Sequence, residues 1–186
     1  MSLQAESDHL KSIESMRQTK KDKSERTRRA NQVEVVYHQW ATFKVNKELY
    51  GIDVMKVKEV LRFSDLTPVP GAEHYILGII NLRGNVATVI DTRRLFGMPI
   101  VEVDDNTRII MVDYNEQEVI GLVVDSVDEV INIPQDDIER APSVTGEESS
   151  RRYVQGVCYY NSLLTILLDI NKIMISITPA SDEDIH

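Results

Sequence analysis

One cysteine, one tryptophan and three phenylalanines occur in 186 residues, and no apolar run approaches the roughly 20 residues that a bilayer span requires. A single Cys158 excludes an internal disulfide framework and suits a reducing compartment. The opening MSLQAESDHLKS lacks the apolar stretch of a secretory signal, so cytoplasmic residence is the expectation. Also missing are a Walker loop, a dinucleotide fingerprint and a CxxC pair. Cys158 stands in an apolar stretch, with His38, His74 and His186 scattered and no activating neighbour. Asp104/Asp105, Asp125/Asp128/Glu129 and Asp136/Asp137 lack the alternating spacing and glycine of a calcium loop. No catalytic, metal or cofactor site is expected.

What the chain does have is an uneven charge. The net charge is -9, but residues 1–34 carry eight Lys/Arg against six Asp/Glu while the remainder carries 13 against 24. Such an acidic body is a poor match for phosphate backbones. The leader holds a basic run, Arg17 to Arg29, with Leu10, Ile13 and Met16 ahead of it. So little apolar surface predicts a solvated tail, helical at most in a frayed stretch.

The chain also repeats itself. ELYGIDVMKVKEVL (Glu48–Leu61) realigns 70 residues on with EVIGLVVDSVDEVI (Glu118–Ile131). Glu48/Glu118, Gly51/Gly121, Val54/Val124, Val57/Val127, Glu59/Glu129 and Val60/Val130 coincide, where residue usage alone gives about one match. Further on, Tyr75/Tyr153, Gly78/Gly156 and Asp91/Asp169 coincide in the same order, each aspartate after an apolar strand core. One small β unit is used twice.

Alternation predicts strands at 41–45, 48–53, 78–82, 86–90, 108–113, 118–124, 155–160 and 163–168. Val54–Leu61 suits a helical turn or an irregular strand, Ala72–Leu77 a helical turn, and Pro134–Ser150 a loop. Asp91 and Asp169 are placed to cap short helices. About ten short strands with stubs of helix indicate an all-β barrel or sandwich, divided by the duplication into two barrels that share a hydrophobic seam. The expected organisation is a leader over 1–34, a folded domain over 35–178 with repeat units near 40–100 and 106–175, and an acidic tail over 179–186.

The run PVPGAEHYILGIINLRGNVATVIDTRRLFGMP (Pro68–Pro99) resembles the signature of the CheW chemotaxis coupling family, through PxxGAxxYxLGxxNLRG and VIDxRxxFG. YGIDVMKVKEVLR upstream and IGLVVDSVDEV downstream are similar to their family counterparts, and the resemblance covers about residues 38–175. It implies two intertwined five-stranded SH3-like barrels and a non-enzymatic adaptor. Such an adaptor joins the cytoplasmic tips of transmembrane chemoreceptors to the histidine kinase CheA, recruited as a monomer into receptor arrays. The basic leader departs from a minimal member of the family.

Candidate partner-binding residues follow from the residues and the resemblance together. Asn81-Leu82-Arg83-Gly84 reads as a strand-to-strand turn: Gly84 supplies backbone freedom, Asn81 bonds neighbouring backbone and Arg83 presents a guanidinium fork. Glu59, set among apolar neighbours, needs a partner, and the resemblance implies Arg83. In the second repeat Glu129 is retained, but Asn161 stands where Arg83 does. Val54, Val57, Val60, Ile110 and Val112 are candidates for an apolar groove between the halves that takes a receptor helix, and Gly78 for close backbone approach to a partner. Rival readings are a small-molecule module using that groove and a nucleic-acid-binding barrel using the leader.

Overall fold

The computed structural model describes residues 2–30, 34–116, 118–140 and 151–177. The chain divides into two units, Met1–Val36 and Tyr37–His186. The first contains one helix, α1 (Ser2–Ala30), with every side chain from Gln4 to Arg26 exposed. This is a much longer helix than the frayed stretch expected. Residues 1–34 contain no glycine or proline and are rich in Glu, Lys and Arg, which are strong helix formers. At 29 residues it exceeds the ~12–15 at which isolated helices are marginal.

Among the described residues the second unit has eleven strands: β1 (Tyr37–Val45), β2 (Glu48–Asp53), β3 (Val57–Arg62), β4 (Ile76–Leu82), β5 (Asn85–Asp91), β6 (Arg108–Asp113), β7 (Val119–Val124), β8 (Ser126–Pro134), β9 (Glu139–Arg140), β10 (Val154–Tyr160) and β11 (Leu163–Leu168). Helices α2 (Thr92–Leu95) and α3 (Ile170–Ile177) follow β5 and β11. Both readings of Val54–Leu61 hold in succession, a 3-10 turn at Val54–Lys56 and then β3. At Ala72–Leu77 the structure has turns without a helix, and β4 begins two residues before the predicted strand. The sequence reading missed β8, whose buried Ile131 and Ile133 follow the charged pair Asp128-Glu129, and it missed the two-residue β9 in the predicted loop. Residues 141–150 of that loop, Gln117 and the acidic tail lie outside the described residues.

Two mixed sheets result, ordered β8-β1-β2-β11-β10-β9 and β3-β6-β7-β5-β4. Matched through the repeat, β1, β2, β3, β4 and β5 correspond to β6, β7, β8, β10 and β11. The two orders are then the same, except that each sheet contains the other repeat's first hairpin. Gly51 of β2 pairs in parallel with Leu167 of β11, and Gly121 of β7 pairs in parallel with Val89 of β5. The halves are thus intertwined strand by strand, and β9 adds a sixth strand to one sheet.

A shared core realises the predicted seam. Phe43, Val45, Tyr50 and Ile52 from one sheet pack with Ile90, Ile110, Val112 and Leu122 from the other, beneath Phe96 and Ile173. Rings run through it from Phe43 to Tyr50, Phe96 and Tyr153 at centroid spacings of 5.9, 5.4 and 5.8 Å. Each sheet has a smaller private core, around Trp40 and Cys158 or around Ile109 and Met111. The repeated Tyr and Asp perform one task twice: Asp91 N–H donates to Tyr75 O (2.8 Å) and Asp169 N–H to Tyr153 O (2.7 Å). Their carboxylates then cap α2 through Arg93 N–H (3.0 Å) and α3 through Asn171 N–H (2.9 Å).

Candidate partner-binding site

Arg83 sits at the tip of the β4–β5 hairpin, where Leu82 pairs with Asn85. Arg83 and Gly84 both have positive φ, 50° and 84°, the twisted two-residue turn that suits antiparallel strands. Asn81 Oδ1 accepts the Gly84 N–H at 3.1 Å, so the turn is fixed by its own side chain. Opposite lies β3, with a register shift between Val57 and Glu59 that sets Glu59 across from Met111. Arg83 Nη2 donates to Glu59 Oε2 at 3.0 Å. The Arg83 side chain is 79% exposed and that of Glu59 30%. A pair this open contributes little to stability, but it points a guanidinium outward in one orientation.

Beside the pair is a shallow groove of about 290 Å³. Its floor includes Ala87, Met111 and Val119, and Lys58, Glu59, Arg83 and Glu116 stand among its charged lining. Lys58 also bridges to Asp113 at 3.3 Å. The ion pair is legible in the sequence but this setting is not, because Met111 and Val119 arrive from strands that only the fold brings to the hairpin.

Other candidates fall elsewhere. Ile110 is 1% exposed and Val112 fully buried. They face the shared core because β6 is flanked by β3 and β7 and covered on both sides. Val54 is half-buried and Val57 packs against the same core, which leaves Val60, 44% exposed, as the surface member of the expected groove. Gly78 is buried. A Cβ there would lie 2.5 Å from Thr67 O, and Thr67 and Ile79 exchange backbone hydrogen bonds of 2.9 and 3.1 Å. The close approach at Gly78 is therefore intramolecular, and Gly156 repeats it with Glu139 O at 2.7 Å.

The equivalent hairpin of the second repeat has the same turn, with Asn161 and Ser162 at φ 50° and 63°, but different chemistry. Tyr159, Leu163 and Leu164 are exposed by 68, 59 and 47%. The repeat alignment contains a signal for this, since Leu163 stands where the first repeat has Asn85 and Asn161 where it has Arg83. One hairpin end is charged and the other apolar. A larger recess of about 660 Å³ opens elsewhere, at His38, Asp53, Asp136 and Arg140, away from the groove imagined for a small molecule. Among the described residues no group of three or more His, Cys, Asp or Glu is arranged to hold a metal, and no helix is long and apolar enough to cross a membrane.

Comparison with known proteins agrees with this architecture. Residues 39–177 match the CheW-like domain. The chain is 40% identical over 132 residues to the chemotaxis protein CheW of Bacillus subtilis, covering 71% of this chain and 83% of that one. It is 32% identical over 143 residues to the chemotaxis protein CheW of Klebsiella aerogenes, covering 77% and 85%. The crystal structure of the scaffolding protein TtCheW from Thermoanaerobacter tengcongensis superposes with a TM-score of 0.66 at 34% identity, covering 72% of this chain and 90% of that one. With its duplicated hairpins exchanged between two sheets and its matched motifs in order, the chain belongs to the CheW-like family of chemotaxis scaffold proteins.

Proposed function

We propose that this protein is a non-enzymatic adaptor that couples the cytoplasmic tips of chemoreceptors to the histidine kinase CheA. It works in the cytoplasm and is recruited to membrane-associated receptor arrays. The observation that carries the site assignment is Arg83, a largely exposed guanidinium held at 3.0 Å by Glu59 on a rigid two-residue turn. A fork oriented in advance loses less freedom on meeting a partner carboxylate or carbonyl than a free side chain does. The groove floor at Met111 and Val119 adds apolar area beside it.

The surface assigned to partner binding comprises Glu59, Arg83, Asn81, Gly84 and Val60; Gly78 and Ile110 act from within, as packing. A charged end and an apolar end, supported on one shared core, suit two partners of different chemistry. Each contact can be small and still function where many copies are linked. Kinase control then follows from geometry and a shift of population, with no bond made by this chain.

Reconstitution of receptor-containing membranes with the kinase tests this directly. Arg83→Ala and Glu59→Ala are expected to lower receptor-dependent kinase activation and retention of the adaptor on those membranes by about tenfold, with thermal unfolding unchanged. Full activation by both variants removes the site assignment. Failure of the wild-type chain to bind kinase or receptor removes the coupling role.

A further inference from the structure

Helix α1 lies outside the matched residues 39–177 and has no part in the proposed function of the body. It is not uniformly polar. At about 100° per residue, Leu10, Ile13 and Met16 are each followed two turns later, on the same side, by Arg17, Lys20 and Lys23. Lys21 lies at the margin of this arc, which spans roughly 160° of the helix. The acids Glu14, Asp22 and Glu25 all fall outside it, and Glu6, one turn before Leu10, is an acid within it. Ile13, Met16, Arg17, Lys20 and Lys23, together with Ser15 and Thr19, line one continuous stretch of the helix surface. All of these side chains are exposed.

Cations on a helix face call for an anionic partner. Two features choose among anions. Exposed Leu10, Ile13 and Met16 share the cationic face, and a phosphate backbone makes no use of apolar side chains. Residues 1–34 also contain no Phe, Tyr or Trp on which bases could stack. A helix face that carries both cations and apolar side chains is suited to an anionic lipid surface, where charge attraction and shallow apolar burial add. We propose that the α1 face formed by Leu10, Ile13, Met16, Arg17, Lys20, Lys21 and Lys23 adsorbs to anionic lipid headgroups, giving this chain a membrane contact of its own.

Flotation of the full-length protein with phosphatidylcholine vesicles, with and without about one third phosphatidylglycerol, tests the proposal. Binding is expected only with the anionic lipid, and raised salt should weaken it. Replacing Arg17, Lys20, Lys21 and Lys23 together by Gln keeps helix propensity and is expected to weaken binding about a thousandfold. Ile13→Ser with Met16→Ser should weaken it about tenfold, whereas Arg26→Gln, on the other face, should change it by no more than about twofold. Circular dichroism of each variant establishes that the helix is retained. Wild-type protein that stays off anionic vesicles overturns the proposal, as does a quadruple Gln variant that binds like wild type. So does a duplex RNA that binds as tightly at the same salt and is indifferent to the Ile13 and Met16 changes. None of these outcomes bears on kinase coupling by the body.

Discussion

Arg93 and Asp125 form a two-pronged ion pair across the two repeats. Arg93 Nε donates to Asp125 Oδ1 at 2.9 Å and Nη2 to Oδ2 at 2.6 Å. Asp125 Oδ2 also accepts the Asn46 N–H at 2.9 Å, and Arg93 Nη1 reaches Pro99 O at 2.8 Å. Four separate points meet there: the β1–β2 turn, the junction of β7 and β8, α2, and the segment that leaves it. Unlike the Glu59–Arg83 pair, this one is largely shielded, with side-chain exposures of 11% and 30%.

Asp125→Asn is accordingly expected to destabilise the protein by about 1.5–3 kcal/mol, the range for hydrogen bonds to charged groups. Burial by itself would raise the Asp125 carboxyl, but the Arg93 and Asn46 hydrogen bonds and the guanidinium charge together take it below its usual value. Its contribution is therefore fully present above the unfolded value near pH 4 and is lost as pH falls through the lower folded value. Urea unfolding from pH 6 down to pH 2 should show that acid-side loss in wild type, and a smaller one in Asp125→Asn.

At the hairpin tip the opposite holds. Arg83→Ala and Glu59→Ala should each change unfolding free energy by less than about 1 kcal/mol, and a double-mutant cycle should give a coupling of similar size. Their effect belongs to partner binding, so calorimetric titration with the kinase and thermal unfolding should separate cleanly.

Gly78→Ala is expected to cost about 3 kcal/mol or more. Its φ is 155° and the added Cβ would meet backbone at 2.5 Å, which cannot be relieved by rotating a side chain. Gly156→Ala should behave alike for the steric reason alone, the contact there being 2.7 Å from Glu139 O. Circular dichroism melts will check both; an unshifted melt for Gly78→Ala would mean that Thr67 does not cover it.

Cys158 is 1% exposed. Burial, with the nearby Asp137 charge, raises its thiol above the ordinary value, leaving little thiolate at neutral pH. A thiol reagent should label it only as fast as the protein opens, and stoichiometrically in denaturant. Rapid labelling of the native protein would contradict its place beside Trp40 and Leu167.

The duplication, most strand positions, the capping aspartates and the NLRG turn are local matters. They rest on alternation, on positive-φ residues and on side chains that bond neighbouring backbone, all of which act over a few residues and so are written in the amino-acid order. Even the Glu59–Arg83 contact was legible, because a carboxylate among valines needs a partner and the family resemblance supplied one. The chain alone did not assign its hairpins to sheets. Ile110 looked like a groove residue and Gly78 like a docking point until β6 was placed between β3 and β7 and Thr67 against β4. Exchange of hairpins between the repeats and the Arg93–Asp125 clasp depend on pairings 32 or more residues apart. Such pairings are selected by the burial available to the whole chain, which no local pattern records.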